Sequence, residues 1–395
     1  MGNELASCKE EPSLLYQFFG RTDRPLTVNT MDNELLFSKN DEEIIFAKNY
    51  SQSGAATARL PMGSLVGKPL ITSQHVDFEE DFVGKKIDDN IIFKFSQLDE
   101  SVPYVKGKEK LDTSKASIHL GQFKLFFSEL LFLTKYIHEA TRVLYVGAAM
   151  GYHIAKLADL FPNIMFDLWD PGKFSIEPRD NIKIYNKLFR NENAQAYASD
   201  KENILFMCDI RTLDIGTLLK KQYNDEINDL IENDMNMQAN WIKIINPIYA
   251  YLKFRLPWAS EKKPTSKYLG GTVYLQPYSP VGTEARLMTN NYTDYVEYNN
   301  KEYDEKFAYF NFNIRFKTTY PRWENIFLKH NLSNCWDNAL SLYIIDYYLR
   351  KIRGITSDNA TGELYMEILN YHIKKFGDKY NVIFNSATAV ASSPP

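Results

Sequence analysis

Apolar and polar positions alternate regularly from about residue 118 onward. The stretch 119–137 has apolar residues at three- and four-residue spacing, which predicts a mostly buried helix. The stretch 213–245 is mostly helical in pattern, with its charges on one face. Between and after these lie short apolar runs that predict strands at 142–146, 164–169, 182–185, 204–208, 249–256, 272–277 and 284–288. Such alternation favours an α/β fold with a mostly parallel sheet covered by helices on both faces.

The first 115 residues follow a different pattern. They contain strand-like runs at 35–37, 44–47 and 91–95, with a loop rich in Gly, Ala, Ser and Pro between the last two. The end of the chain is helical in pattern and then becomes small and polar. We therefore expect a loop-rich N-terminal region at 1–115, an α/β domain at 116–330, a helical region at 331–385 and a disordered tail at 386–395.

Composition narrows the class of protein. The chain of 395 residues is 44% hydrophobic, which is enough for a sizeable core, and its formal net charge of −4 excludes a uniformly basic nucleic-acid coat. Its three cysteines are far apart, so neither a disulfide framework nor a paired-cysteine metal site is expected, and a reducing compartment fits best. No apolar run reaches the ~18 residues of a membrane span, and the first residues lack a signal-peptide core.

A glycine turn between a predicted strand and a helix indicates a nucleotide-like ligand. In the segment 143–154, Gly147 can take a positive φ, and Gly151 lets a helix begin against a ligand. Asp170 ends the next predicted strand, about twenty residues later, where it could accept hydrogen bonds from ribose hydroxyls. The turn lacks the full dinucleotide pattern, so a single nucleoside such as S-adenosylmethionine fits better than NAD. A purely structural turn is the alternative, because Asp170 also precedes Pro171-Gly172.

Two lysines and two carboxylates are the candidate chemical groups. Lys124 lies on the first predicted helix, Asp209 ends a strand, Lys253 lies inside a strand, and Glu284 opens one. A lysine kept neutral by burial and a neighbouring positive charge can remove a proton from a weakly acidic hydroxyl, such as a ribose 2′-hydroxyl. Carboxylates would orient such a pair. Taken singly, each lysine is more often a surface side chain.

In these motifs the chain resembles the poxvirus cap-specific mRNA nucleoside-2′-O-methyltransferases, a family that also serves as the small, processivity subunit of the viral poly(A) polymerase. The order and approximate spacing of the motifs agree from about residue 100 to 311. The matching blocks are Gly121-Gln-Phe-Lys-Leu-Phe-Phe-Ser-Glu-Leu130, 143–154, Cys208-Asp-Ile-Arg-Thr212, 246–257 with Lys253-Phe-Arg-Leu-Pro257, and 275–286 with Glu284-Ala-Arg286.

The resemblance implies a Rossmann-like methyltransferase fold and assigns roles to individual residues. Lys253 becomes the general base, with Lys124, Asp209 and Glu284 tuning it and orienting the ribose. Where the family commonly has a proline before the second glycine, this chain has Met150. The expected cofactor is S-adenosylmethionine, without a metal, and its implied contacts are Gln122, Gly147, Ala149, Gly151, Asp170 and Lys173.

The same family stacks the 7-methylguanosine cap between two aromatic rings. Trp258 aligns with one ring, and Tyr104 falls close to the other. Asp304 is the better candidate for reading the base edge. The family has a second acid that reads the base edge. In this chain Ser260 stands at its aligned position, and Glu261 follows directly as the candidate acid. Arg211, Arg255 and Arg286 are expected to follow RNA phosphates, and Lys173 is a further candidate for that role.

The sequence therefore predicts 2′-O-methylation of the first transcribed nucleotide of capped mRNA. Two alternatives remain open: a non-catalytic RNA-binding processivity subunit, which can coexist with the enzyme, and a 2′-O-methyltransferase for uncapped RNA. Capped mRNA is the expected partner, a poly(A) polymerase catalytic subunit is suggested by the resemblance, and no membrane association is expected. The resemblance also places the protein in infected-cell cytoplasm or a virion.

Overall fold

The computed structural model describes residues 91–104, 120–199, 203–212, 225–280, 282–315, 317–377, 380 and 383–384. The predicted strands 35–37 and 44–47, the segment 213–224 and the tail 386–395 lie outside these residues. The helices are α1 (Gly121–Tyr136), α2 (Tyr152–Leu160), α3 (Asn191–Ser199), α4 (Asp225–Ile245), α5 (Asn300–Tyr309), α6 (Glu324–His330), α7 (Trp336–Arg353) and α8 (Asp358–Phe376).

The strands confirm the predicted α/β fold. Their bounds are β1 (Arg142–Val146), β2 (Met165–Trp169), β3 (Ile182–Tyr185), β4 (Ile204–Cys208), β5 (Tyr249–Phe254), β6 (Thr265–Leu269), β7 (Thr272–Tyr274), β8 (Ala285–Thr289) and β9 (Tyr295–Asn299). Seven of these strands form one sheet in the order β3-β2-β1-β4-β5-β8-β7. Strands β1 to β5 pair in parallel, and β8 pairs antiparallel to both of its neighbours.

Parallel pairing explains why the central strands are continuous apolar runs. All five residues of β4 are buried, as are four of five in β1 and in β2. The chain moves outward from β1 to β2 through α2 and returns from β3 to β4 through α3. Right-handed crossovers in opposite directions place these two helices on opposite faces of the sheet. The strand order reverses between β1 and β4, and a ligand crevice is expected at the carboxyl ends of these strands.

Helix α1 is the central helix of one face. Twelve of its sixteen residues are buried, from Phe123 to Thr134, which agrees with the predicted apolar helix. It packs against α2 and α7, and α8 packs against α7. The C-terminal helices therefore share one hydrophobic core with the sheet.

Two predicted features differ from the structure. The run 91–95 does not form a regular strand, because the Gln97 side chain accepts hydrogen bonds from the backbone N–H groups of Phe93 and Lys94 and closes a short 3₁₀ turn, Phe95–Gln97. An isolated bridge pairs Lys94 with Tyr274, and the Leu275 N–H donates to the Phe93 carbonyl. The antiparallel pair β6 and β9 was not predicted, since both strands carry exposed polar residues and lack a continuous apolar run.

A buried ion pair ties the C-terminal helices to the sheet. The guanidinium of Arg315 donates to Asp337 at 2.7 Å, and both side chains are fully buried. Arg315 also donates to the carbonyl of Ser279, and Asp337 accepts from the backbone N–H of Tyr278. In the described part of the chain, no helix is long and apolar enough to cross a membrane.

Candidate active site

The structure brings Lys124, Asp209, Lys253 and Glu284 together at the carboxyl edge of the sheet. Asp209 directly follows β4, and its backbone N–H donates to the carbonyl of Val146 at the end of β1. Lys253 lies near the end of β5, and Glu284 immediately precedes β8. Lys124 comes from the first turn of α1, above this edge. Four separate elements therefore supply the four side chains.

Ion pairs link these four side chains in series, from Asp209 through Lys253 and Glu284 to Lys124. The Lys253 ammonium lies 2.9 Å from Asp209 Oδ1 and 3.7 Å from Glu284 Oε2. Lys124 donates to Glu284 Oε1 and is itself buried. Glu284 thus pairs with both lysines, and Lys253 pairs with both carboxylates.

Burial and charge shift the pKa values of the cluster in different directions. Burial lowers the pKa of Lys124 from 10.5 to about 8, because the cost of desolvating its ammonium exceeds the attraction of Glu284. Burial raises the pKa of Asp209, but the charges of Lys253 and Arg286 outweigh it and bring it to about 2. The pKa of Glu284 also lies well below its ordinary value, since Lys124 and Lys253 outweigh the effect of burial. Both carboxylates are therefore ionised at neutral pH.

Arg286 has a different position from the one that its predicted role in RNA binding requires. Its side chain is fully buried and donates to Asp209 at 2.8 Å, to Glu284 at 3.3 Å and to the Tyr251 hydroxyl at 3.1 Å. The reason is register: Arg286 pairs directly with Lys253 across β5 and β8, so both side chains leave the same face of the sheet. Arg286 is therefore a fifth member of the cluster rather than a surface contact.

Arg211 completes what we call the lysine–carboxylate cluster: Lys124, Asp209, Arg211, Lys253, Glu284 and Arg286. Arg211 donates to Glu284 Oε2 at 3.2 Å and keeps 27% of its side chain exposed. Its loop is held by Asp234 of α4, which accepts from the backbone N–H of Thr212. Basic side chains outnumber carboxylates four to two within the cluster, which suits a polyanionic ligand.

The predicted glycine turn lies directly against this cluster. Gly147 has a φ of +82°, and a Cβ there would come within 2.8 Å of the backbone of Asp209 and Ile210. Gly151 has a φ of +73° and precedes α2. Only glycine fits at position 147, because both the backbone conformation and the close approach exclude a side chain. The glycine turn and the loop after β4 are therefore in close contact.

Asp170 lies at the end of β2, beside the turn, as predicted. Its two carboxylate oxygens accept from the backbone N–H of Ala149 at 3.1 Å and of Gly172 at 2.6 Å. Burial raises the pKa of Asp170, although these hydrogen bonds oppose the shift. Each oxygen keeps a further lone pair for a ribose hydroxyl. The neighbouring Lys173 is exposed.

Gln122 begins a buried polar chain that the sequence did not predict. Its side-chain oxygen accepts from the backbone N–H of His153 and lies 3.0 Å from the ring Nδ1. His153 Nε2 lies 2.9 Å from Glu129, which accepts from the Tyr145 hydroxyl at 2.6 Å. These contacts connect α1, which carries Lys124, to the helix that follows the glycine turn. Individually, His153 and Glu129 show no sequence pattern that could have indicated this pairing.

Asp304 is hydrogen-bonded to the residue that follows Trp258. The backbone N–H of Ala259 donates to Asp304 Oδ2 at 3.4 Å, and the guanidinium of Arg255 lies 4.0 Å from the centroid of the Trp258 ring. Burial raises the pKa of Asp304 to about 7. Its other oxygen, Oδ1, is buried and accepts no hydrogen bond from any described residue. Such a carboxylate can accept from a ligand that supplies N–H groups.

The remaining candidates lie farther toward the surface. Tyr104 is partly buried, and its segment is joined to α5 by a hydrogen bond from Val102 N–H to the Glu305 carbonyl. The segment that contains Tyr104 is therefore attached to the helix that carries Asp304. Glu261 is exposed. The described residues contain no group of His, Cys, Asp and Glu side chains that could hold a metal ion.

Comparison with known proteins gives a consistent set of matches. A family model described as the poly A polymerase regulatory subunit matches residues 88–357. The cap-specific mRNA (nucleoside-2′-O-)-methyltransferase of Myxoma virus (strain Lausanne) is 26% identical over 211 residues, which cover 49% of this chain and 59% of that protein. The protein of the same name from Fowlpox virus (strain NVSL) is 26% identical over 224 residues, covering 49% and 69%. The chain thus spans about three fifths of the Myxoma virus relatives that it matches.

Proposed function

Because this chain belongs to the poly(A) polymerase regulatory subunit family, with relatives named as cap-specific methyltransferases, we propose that it methylates the 2′-oxygen of the first transcribed nucleotide of capped mRNA. The observation that carries this proposal is the lysine–carboxylate cluster in direct contact with the glycine turn. A proton acceptor and the turn that is expected to bind a nucleoside then lie side by side, as a methyl transfer to a hydroxyl requires.

The glycine turn fits S-adenosylmethionine as the cofactor. Gly147 holds the turn in a left-handed conformation close to the backbone of Asp209, and Asp170 offers acceptor oxygens at the end of β2. Gln122, Ala149, Gly151 and Lys173 would complete the contacts. When bound, this cofactor supplies an electrophilic methyl group on a sulfonium.

The chain's own residues perform the proton chemistry. Lys253 accepts the proton of the ribose 2′-hydroxyl as the oxygen takes the methyl group, and Asp209 and Glu284 fix the direction of its side-chain nitrogen. Lys124 adds a like charge nearby and anchors Glu284. Arg286 keeps both carboxylates ionised and aligned. The role of Arg286 is thus orientation within the cluster.

The cap is recognised at the other end of the site. The cationic purine of 7-methylguanosine stacks on Trp258, as a cation does on an aromatic face. The unsatisfied Oδ1 of Asp304 then accepts from the N–H groups of the guanine edge. Tyr104 supplies a second ring, and Glu261 a second acid. Arg211 belongs to the same cluster as Lys124 and Lys253, is partly exposed and contacts an RNA phosphate.

Methyl transfer from labelled cofactor to short RNAs tests this function directly. Capped RNA should be methylated, with the label mapping to the ribose of the first nucleotide, and uncapped RNA should not. Lys253→Ala should lower kcat at least a hundred-fold, and Lys253→Arg should be equally inactive because guanidinium does not deprotonate at working pH. Lys267→Ala is the control, since Lys267 is an exposed lysine on β6. Full transfer by folded Lys253→Ala would refute the proposal.

The family description favours one second candidate, a regulatory subunit of a poly(A) polymerase that acts through RNA binding alone. The two functions can coexist in one protein. Calorimetric titration with S-adenosylmethionine separates them, because a purely regulatory subunit needs no cofactor. A third alternative, methylation of uncapped RNA, predicts that free 7-methylguanosine triphosphate does not compete with the substrate. The expected location follows from the viral relatives: infected-cell cytoplasm or a virion.

A further inference from the structure

In the loop after β5, the backbone of Trp258, the proposed cap-stacking residue, is hydrogen-bonded by one buried side chain. Asn228 lies on α4 and is 5% exposed. Its side-chain oxygen accepts from the backbone N–H of Trp258 at 3.0 Å, and its amide nitrogen donates to the Trp258 carbonyl at 3.1 Å. The amide of Asn228 therefore matches both backbone groups of one residue.

Other contacts hold the same loop on two sides. The adjoining Ala259 N–H is hydrogen-bonded to Asp304 of α5. Farther along, the ammonium of Lys263 pairs with Asp229 at 2.9 Å and with Glu232, both on α4. Helix α4 thus fixes the loop at Trp258 and again five residues later. Without Asn228, the first of these two anchors is lost.

The Arg255 guanidinium limits how the Trp258 ring can be used. It lies 4.0 Å from the ring centroid and therefore covers one face of the indole. A stacked purine must take the opposite face. The ring has to be presented at a defined position relative to Asp304, because the stacked base must reach the Asp304 oxygen with its edge.

We propose that Asn228 is a positioning residue for cap recognition: it presets the backbone of Trp258 so that the indole ring and the Asp304 carboxylate meet one purine together. This inference rests on the proposed function. A Trp258 ring that is already held in place loses less conformational entropy when the cap binds. Asn228 should therefore increase the affinity for the cap and leave cofactor binding and proton transfer unchanged.

Asn228→Ala removes both hydrogen bonds and tests the proposal. We expect the KM for capped RNA and the dissociation constant for 7-methylguanosine triphosphate to rise about ten-fold, while kcat and the KM for S-adenosylmethionine stay within two-fold of wild type. Asn228→Asp keeps the acceptor for the Trp258 N–H but places a carboxylate oxygen against the Trp258 carbonyl, so it should show a change at least as large. Asn240→Ala is the matched control, since Asn240 lies on the same helix in an exposed hydrogen bond to Asn191.

The outcomes separate the inference from the function on which it rests. Should the wild-type protein fail to prefer capped RNA, the proposed function itself is wrong. If wild type prefers capped RNA and Asn228→Ala retains cap affinity, or loses cap and cofactor affinity equally, Asn228 is a structural residue and the inference is overturned. A selective loss of 7-methylguanosine triphosphate binding in both Asn228 variants, but not in Asn240→Ala, supports it.

Discussion

Asp304 combines a cost in stability with a candidate role in binding. Burial raises its pKa from 3.8 to about 7, and one of its oxygens has no hydrogen-bond partner in the described part of the chain. A group whose pKa is raised on folding stabilises the protein fully below its unfolded pKa, near 3.8, and this contribution is lost as the pH rises through 7. At pH 8 the buried carboxylate is therefore ionised at a cost to folding, which is typical of a functional residue.

Asp304→Asn should therefore raise the free energy of unfolding at pH 8 by about 1 to 2 kcal/mol, and this gain should shrink toward pH 5. Urea unfolding at both pH values measures it. The same variant should bind 7-methylguanosine triphosphate at least ten-fold more weakly. Asp358→Asn is a control of opposite sign, because Arg322 lowers the pKa of Asp358. Equal behaviour of the two variants would contradict this account.

At the scale of elements, the turn between β1 and α2 connects the proposed cofactor site to the lysine–carboxylate cluster. Gly147 touches the backbone of the loop after β4, and Asp209 in that loop binds Lys253. The buried chain from Gln122 through His153 to Glu129 makes a second connection, between α1 and α2. Any displacement of the turn is therefore transmitted to the lysine–carboxylate cluster.

Gly147→Ala should impair both ends of the site. It forces an alanine into a positive φ and pushes its Cβ against the Asp209 backbone, so we expect a loss of about 1 to 3 kcal/mol in stability and at least ten-fold weaker binding of S-adenosylmethionine. Calorimetry and urea unfolding measure the two effects. Gly377→Ala is the control, since Gly377 has a φ of +68° and nothing within 4 Å of its added Cβ. Unchanged cofactor affinity in Gly147→Ala would exclude this placement of the cofactor.

At the scale of the whole molecule, the C-terminal helices and the sheet are joined by the buried pair of Arg315 and Asp337. Tyr278 and Ser279, in the loop after β7, complete the hydrogen bonds of this pair. That loop leads to Glu284, which precedes β8. The Arg315–Asp337 pair therefore supports the segment that positions Glu284. A buried charge without its partner is far more costly than an exposed one.

Arg315→Met should therefore destabilise the protein by about 3 to 5 kcal/mol, because it leaves Asp337 buried without its charge partner. Arg322→Met breaks an exposed pair with Asp358 and should cost less than about 1 kcal/mol. Chemical unfolding followed by tryptophan fluorescence compares the two. Similar losses in both variants would show that the buried pair does not hold the C-terminal helices to the sheet.

The site was only partly predictable from sequence. The two lysines and two carboxylates of the cluster belong to blocks that the chain shares with a known family, and the structure brings them together. Arg286 was misplaced, because a single arginine in a strand does not reveal that register sets it opposite Lys253. Asn228 was missed altogether, since it lies thirty residues from Trp258 and one asparagine on a helix carries no pattern.

The sequence by itself determined the α/β class, most strand positions and the residue types available for chemistry, because hydrophobic periodicity and glycine turns are local properties. Only the tertiary structure decided which side chains meet. Three contacts depend on residues far apart in the chain. They are the antiparallel register of β5 and β8, the close approach of Gly147 to Asp209, and the hydrogen bonds from α4 to the Trp258 loop. Contacts of that kind follow from how buried surfaces pack, and packing is a property of the whole fold.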